Sequence, residues 1–157
     1  MASVTDGYDS RSPYIKQLSC FIENRIGDLQ QVISMLEDDG IRICAVSILD
    51  AADHGVVRLI VDRPTDAKIM LEAQGITTFE TNLLGVLLPA DRARGISSVL
   101  STLLVAEVKV EYVYALITHP SDRPAMAINV DDLNAAADAL QQVGFDLVTQ
   151  DEIWPDE

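Results

Sequence analysis

Cationic residues are scarce in this chain: 11 Lys and Arg stand against 25 Asp and Glu over 157 residues, a formal net charge of −14. Nothing in the sequence clusters Lys or Arg as binding to a phosphate backbone requires, so nucleic acid is not expected as a partner. Attraction to an anionic lipid surface fails for the same reason. No apolar run approaches the roughly 20 residues of a membrane span, so a soluble protein without membrane contact is expected. Residues 1–12 are polar and lack the apolar core of a secretory signal; residues 1–13 read as a flexible tail. Cysteine is almost absent. Cys20 and Cys44 both lie in apolar segments, which points to buried free thiols in a reducing cytoplasm rather than to a disulfide framework. Two histidines, His54 and His119, fall in separate loops with no partner at metal-ligand spacing, so both read as solvated and no metal is expected. There is no Gly-x-Ser-x-Gly elbow, no phosphate-cradling glycine loop and no paired-cysteine motif. Carboxylates such as Glu37, Asp38 and Asp39 sit at a helix end and read as solvated charge. Neither catalysis nor a cofactor is expected.

What is present is a repeat. Hydrophobic residues reach 48%, enough for a packed core and too many for a disordered chain. Leu29, Val32, Ile33 and Leu36 fall at i, i+3, i+4 and i+7, one face of a helix. Gly40 stops that helix, and the β-rich run 41–49 follows. A shift of 67 residues brings the pattern back: Ile96, Val99, Leu100 and Leu103 repeat the helical face, and Val108-Lys109-Val110 repeats Ile41-Arg42-Ile43. One position breaks the match, Glu107 standing where Gly40 stands. At a shift of 69, the strand 57–62 corresponds to 126–131, each ending in an aspartate, Asp62 and Asp131. Helices at 64–74 and 132–143 follow, the first opened by Pro64, which suits a first helical turn. Gly75 and Gly144 end them and lead into strands at 76–79 and 145–148. Strands at 14–22, with Leu18, Cys20 and Ile22 on one face, and at 83–88 open the two units.

The order in each unit is strand, helix, strand, strand, helix, strand. The economical packing is α+β, with two tandem ferredoxin-like βαββαβ units, each an antiparallel sheet with its helices on one face. The expected organisation is a tail to residue 13, a first unit over 14–79, a second over 80–153 and an acidic tail over 154–157. Units of this size bury little surface alone, so they are expected to pack together by pairing exposed sheet edges. Tyr112 and Tyr114 share a strand face and are expected at a sheet-to-sheet contact.

The loop Asn24-Arg25-Ile26-Gly27-Asp28-Leu29-Gln30-Gln31-Val32, followed by Leu36, Gly40 and Ile41-Arg42-Ile43, resembles the ACT domain. Ile26 stands where that family usually has proline. Asp91-Arg92-Ala93-Arg94-Gly95-Ile96 is a looser second copy in which Ala93-Arg94 replaces the proline-glycine pair. The run 111–115 also looks like the second strand of tandem ACT proteins, and the resemblance covers residues 14–153. It implies a regulatory module that binds an amino acid at the loop between first strand and first helix, and a homodimer. Carried onto this chain, the ligand-binding positions are Asn24, Arg25, Ile26, Gly27, Asp28 and Leu29 in the first unit. In the second they are Asp91, Arg92, Arg94, Gly95 and Ile96.

The chemistry of those residues suits a zwitterion. A glycine at a strand-to-helix turn lets backbone approach a guest, and the following helix offers unsatisfied N–H groups and a partial positive charge to a carboxylate. Arg25, Arg92 or Arg94 would add a guanidinium; Asp28 or Asp91 would accept from an ammonium group. Each residue also has a plainer role: Gly27 and Gly95 as tight turns, Asp28 as a helix cap, the arginines as solvated loop charges. An alternative function is the regulatory subunit of an amino-acid biosynthetic enzyme such as acetohydroxyacid synthase, with a large catalytic chain as partner. A third is an acylphosphatase-like hydrolase using Asn24 and Arg25 on an acyl phosphate, since this fold hosts that chemistry too.

Overall fold

Leu18 and Cys20 alternate with Gln17 and Ser19 in one extended segment, and a period of two sends the pairs to opposite faces of a sheet. In the structure, a computed structural model that describes residues 13–89 and 95–154, this segment is β1 (Ile15–Ile22). It is followed by α1 (Asp28–Asp38), β2 (Ile43–Asp50), β3 (Gly55–Val61), α2 (Pro64–Ala73) and β4 (Thr78–Leu87). The rest of the order is α3 (Ile96–Val105), β5 (Val110–Ala115), β6 (Ala125–Val130), α4 (Leu133–Gln142) and β7 (Asp146–Val148). All pairings are antiparallel, in the order β2-β3-β1-β4-β6-β5, with β7 also on β4. Each unit therefore has its fourth, first, third and second strands side by side, as the βαββαβ order demands.

β4 corrects the sequence reading. Two strands, 76–79 and 83–88, were expected on either side of a boundary at 79/80. One ten-residue strand replaces them. Its residues 78–83 pair with β1 as the last strand of the first unit. Residues 84–87 pair with β6, and 85–87 with β7, as the first strand of the second unit. Glu80, Thr81 and Asn82 include no glycine or proline to turn the chain, so the strand runs through.

The expected edge pairing is replaced as well. Val32, Leu36, Ala67 and Leu71 of α1 and α2 cover Leu18, Cys20, Val57 and Leu59 of the first sheet. Val99, Leu103, Ala136 and Leu140 of α3 and α4 cover Leu84, Val86, Met126 and Ile128 of the second. The strand positions between these form a third cluster, with Ile15, Ala45 and Ile60 from one unit and Leu87, Ala127 and Val148 from the other. The units thus share a strand and meet through the faces their helices leave open. Gln17 is fully buried at this contact. Its amide donates to the Tyr112 hydroxyl at 2.7 Å and accepts from the Tyr114 hydroxyl at 2.6 Å. Arg58 lies 3.7 Å above the Tyr112 ring. The tyrosines sit at the sheet-to-sheet contact, as expected. Burial, assisted by the neighbouring Tyr112, pushes the Tyr114 hydroxyl above the usual tyrosine range, so it stays a donor at neutral pH.

The repeat is visible in local detail. Asp62 accepts from the Arg42 N–H and Asp131 from the Lys109 N–H, both at 2.9 Å. Each second strand carries an irregularity at the same place, Ile43/Ala45 and Val110/Tyr112. After α1, Gly40 and Ile41 donate to Glu37 and Leu36; after α3, Glu107 and Val108 donate to Leu104 and Leu103. Gly40 has φ 79° and Glu107 has φ 57°. The second unit keeps the glycine's left-handed backbone without the glycine, a strain on the order of 1–2 kcal/mol. Trp154, assigned to the acidic tail, instead packs with its ring 4.1 Å from the Arg42 guanidinium. Just before it, the Ile153 carbonyl accepts from Thr118 at 2.6 Å.

Gly85 sits at the centre of the join. A Cβ there would meet the end of the Ile15 side chain and lie 2.7 Å from the Val148 carbonyl oxygen, so both units would have to shift. Gly85→Ala is expected to cost about 1–3 kcal/mol in a urea titration followed by circular dichroism.

Candidate functional site

β1 delivers the chain to a turn at residues 23–27 that opens α1. Asn24 adopts φ 58° and Gly27 φ 90°. Gly27 is the N-cap of α1 and leaves its first turn without a side-chain cap. Asp28, expected to cap the helix, is its first residue. Its carboxylate folds back to accept the Arg25 N–H at 2.8 Å, closing the turn rather than the helix. Arg25 is exposed and reaches Glu23 at 2.8 Å and Asp28 at 3.9 Å. The Asn24 amide is held by Asp50 at 2.9 Å. Ile26 projects fully into solvent, and Leu29 packs into the first helix–sheet core.

Arg25 and Asp28 line a cleft of about 510 Å³ between α1 and the turn that follows α2. Phe21, Ile22 and Glu23 form its end. Gln31, Val32 and Met35 extend along α1, and Gln74, Gly75 and Ile76 close the opposite wall. Rim and interior differ: Arg25, Glu23, Asp28 and Gln31 carry charge or amide, whereas Ile22, Val32, Met35 and Ile76 are apolar. Of the first-unit positions named from sequence, the structure therefore brings Arg25 and Asp28 into one cleft and gives Gly27 the turn that places them. Asn24 and Leu29 serve the fold. Gln31 and Met35 were missed although they recur at i+3 and i+7 from Asp28, on one helical face. The 74–76 wall carries no local signal, since only the tertiary fold brings it there.

The second unit differs. Asp91, Arg92 and Arg94 lie outside the described residues. Gly95 is the N-cap of α3 but is extended, with φ −100° and ψ −156°, so it does not repeat the left-handed turn of Gly27. Ile96 is exposed. Around Gly144, the counterpart of Gly75, a cleft of about 500 Å³ is lined by Gln141, Phe145, Thr149 and Glu152.

The thiols and imidazoles do not line the cleft beside α1. Cys20 and Cys44 are buried free thiols, as expected. Burial pushes Cys20 up to about 11, against a weaker opposing hydrogen bond from Thr78, and raises Cys44 as well, so neither supplies thiolate at neutral pH. His54 and His119 are exposed. Asn24 and Arg25 form no common anion cradle, because one is bonded to Asp50 and the other to Glu23. Among the described residues, no helix is long and apolar enough to cross a membrane.

Two ferredoxin-like units that share a strand define a tandem regulatory-type α+β fold. The chain belongs to the ACT domain pair family, which matches residues 14–153. No curated protein matches it. Among solved structures it is similar to a protein of Bacteroides thetaiotaomicron, with 26% identity and a TM-score of 0.80 over 91% of this chain and 99% of that one. It is also similar to the ligand-free regulatory subunit of aspartate kinase from Thermus thermophilus, with 14% identity and a TM-score of 0.58 over 83% and 93%. That likeness is one of fold. A third structure, the regulatory subunit of aspartate kinase from Thermus flavus, gives 14% identity and a TM-score of 0.56 over 82% and 92%.

The two helix-start glycines should respond oppositely to one substitution. Gly27→Ser forces a side chain into a left-handed turn and should cost about 1–2 kcal/mol. Gly95→Ser puts a capping hydroxyl on an extended N-cap and should gain a few tenths, roughly. Paired thermal melts check both signs.

Proposed function

We propose that this protein is a non-catalytic regulatory protein that binds a free amino acid in the cleft beside α1. The observation that carries the reading is the composition of that cleft. One guanidinium, Arg25, stands between two carboxylates, Glu23 and Asp28, at the start of a helix, with an apolar wall behind them. A guest carboxylate would take the Arg25 fork and the helix N-terminus. A guest ammonium would replace Arg25 as the partner of Glu23 or Asp28. The side chain would lie along Val32, Met35 and Ile76. Gly27 is assigned the turn that sets this geometry. Membership in the ACT domain pair family supports a regulatory role. The second-unit loop, with Asp91, Arg92, Arg94, Gly95 and Ile96, is a weaker candidate because Gly95 lacks the left-handed turn.

The test is a thermal-shift screen against the common amino acids at millimolar concentration. A ligand at a hundredfold excess over its dissociation constant should add about 2.7 kcal/mol, which raises Tm by about 5–10 °C in a chain of this size. Arg25→Ala and Met35→Lys should abolish the shift, and Arg25 is exposed enough that its loss leaves the fold intact. A flat screen, or a shift that survives both variants, overturns the reading.

A further inference from the structure

The second unit covers only part of the first sheet's open face. Directly opposed residues of antiparallel strands share a face. Ser47 is opposite Arg58, Arg58 opposite Ser19 and Ser19 opposite Phe79, a row that crosses β2, β3, β1 and β4. The next row outward, away from the buried Gln17, holds Leu49, Val56 and Phe21. Phe21, Leu49 and Phe79 are 40, 51 and 56% exposed. The rings of Phe21 and Phe79 meet edge to face at 5.7 Å. With Ile22, Glu23, His54 and Thr77 they line a cleft of about 400 Å³ at this outer end.

Arg58 is half-buried, its guanidinium 3.7 Å above the Tyr112 ring. Among the described residues, no Asp or Glu forms an ion pair with it and no oxygen accepts from its N–H groups. The other described arginines, Arg25, Arg42, Arg63 and Arg123, each hold a carboxylate at 3.2 Å or less. No fully buried side-chain nitrogen lacks a partner among these residues, so the Arg58 donors open to the surface. In a chain with 25 acids and 11 bases, this cation has been kept clear of all of them.

We propose that Arg58 and the Phe21–Phe79 pair form a second ligand site, for a carboxylic acid with an aromatic body and no ammonium group. The carboxylate takes the Arg58 fork, with the Ser47 and Ser19 hydroxyls on either side. The ring lies in the cleft against Phe21 and Phe79. Phe21 is the diagonal cross-strand neighbour of Arg58, roughly 7 Å away, a span that a short aliphatic tether between carboxylate and ring covers. An ammonium group beside the carboxylate would find no acid paired to Arg58. Glu23, at the far end of the cleft, is held by Arg25 at 2.8 Å and repels an anion from that end, which sets the guest's direction. This site does not depend on the amino-acid cleft, whose guanidinium is Arg25.

Isothermal titration calorimetry of the full chain with phenylpropionate tests the proposal. The wild type should bind it saturably in the millimolar range. It should bind neither propionate, which lacks the ring, nor phenylpropylamine, which lacks the anion. Arg58→Gln should weaken phenylpropionate binding at least ~10-fold, and Phe79→Ala about 5-fold. Phe79 is exposed, so its variant decides the matter even if Arg58→Gln, which gives up the Tyr112 contact, fails to fold. Arg25→Ala should leave the phenylpropionate affinity unchanged while removing the amino-acid response, so the two sites fail separately. An absence of saturable heat overturns the proposal, as does equal binding of propionate or phenylpropylamine. So does an affinity that a folded Arg58→Gln or Phe79→Ala leaves intact, or one lost in Arg25→Ala, which would put the acid in the other cleft.

Discussion

Everything in this molecule hangs on one strand used twice. β4 closes the first sheet with residues 78–83 and opens the second with residues 84–87. At Gly85 the side chain of Ile15 and the carbonyl of Val148 crowd in so closely that no Cβ fits between them. Because the strand is continuous, the two sheets cannot separate like beads on a linker. Their open faces are brought together and bury one shared apolar cluster. The buried Gln17, bonded to both Tyr112 and Tyr114, makes that contact specific, since a slip of one residue would leave its amide and two hydroxyls unsatisfied.

This constraint also ties the cleft to the rest of the protein. Gly75 and Ile76, one wall of the cleft, lie only a few residues before β4 begins. The Phe21 N–H at the end of the cleft donates to Thr77 at 3.0 Å. A guest wedged between α1 and this turn would press on the segment that leads into the shared strand. A regulatory protein needs such a connection between its ligand and the remainder of its surface.

Much of this was legible in the sequence because it depends on local periodicity. The alternation in β1, the heptad-like spacing in α1, the aspartates just past β3 and β6 and the helix-ending glycines are all local signals with a physical role. Glu107 marked itself as an exception by breaking the repeat, and its left-handed backbone shows that the turn was kept when the glycine was not. The continuity of β4 was illegible: 80–82 is polar and reads as a break, and what keeps it extended is pairing with β1, more than 60 residues away in sequence. The face-to-face contact was illegible for the same reason. In α3 the difficulty was different. Its six apolar residues are spread around the helix and none of its ten is charged, so periodicity could not tell the buried Val99 and Leu103 from the exposed Ile96 and Leu100. In the cleft, Arg25 and Asp28 were readable from the loop, while the 74–76 wall belongs to a distant turn.

The proposed function specifies a place: the amino acid would bind in the first unit, against α1. Methionine methyl NMR examines that place directly. Met35 lines the cleft and Met126 sits in the core of the second unit. On addition of the common amino acids at millimolar concentration, the Met35 methyl signal should move and saturate while that of Met126 stays close to its starting position. A saturating shift at Met126 with Met35 unmoved, or no shift at either, would contradict the account.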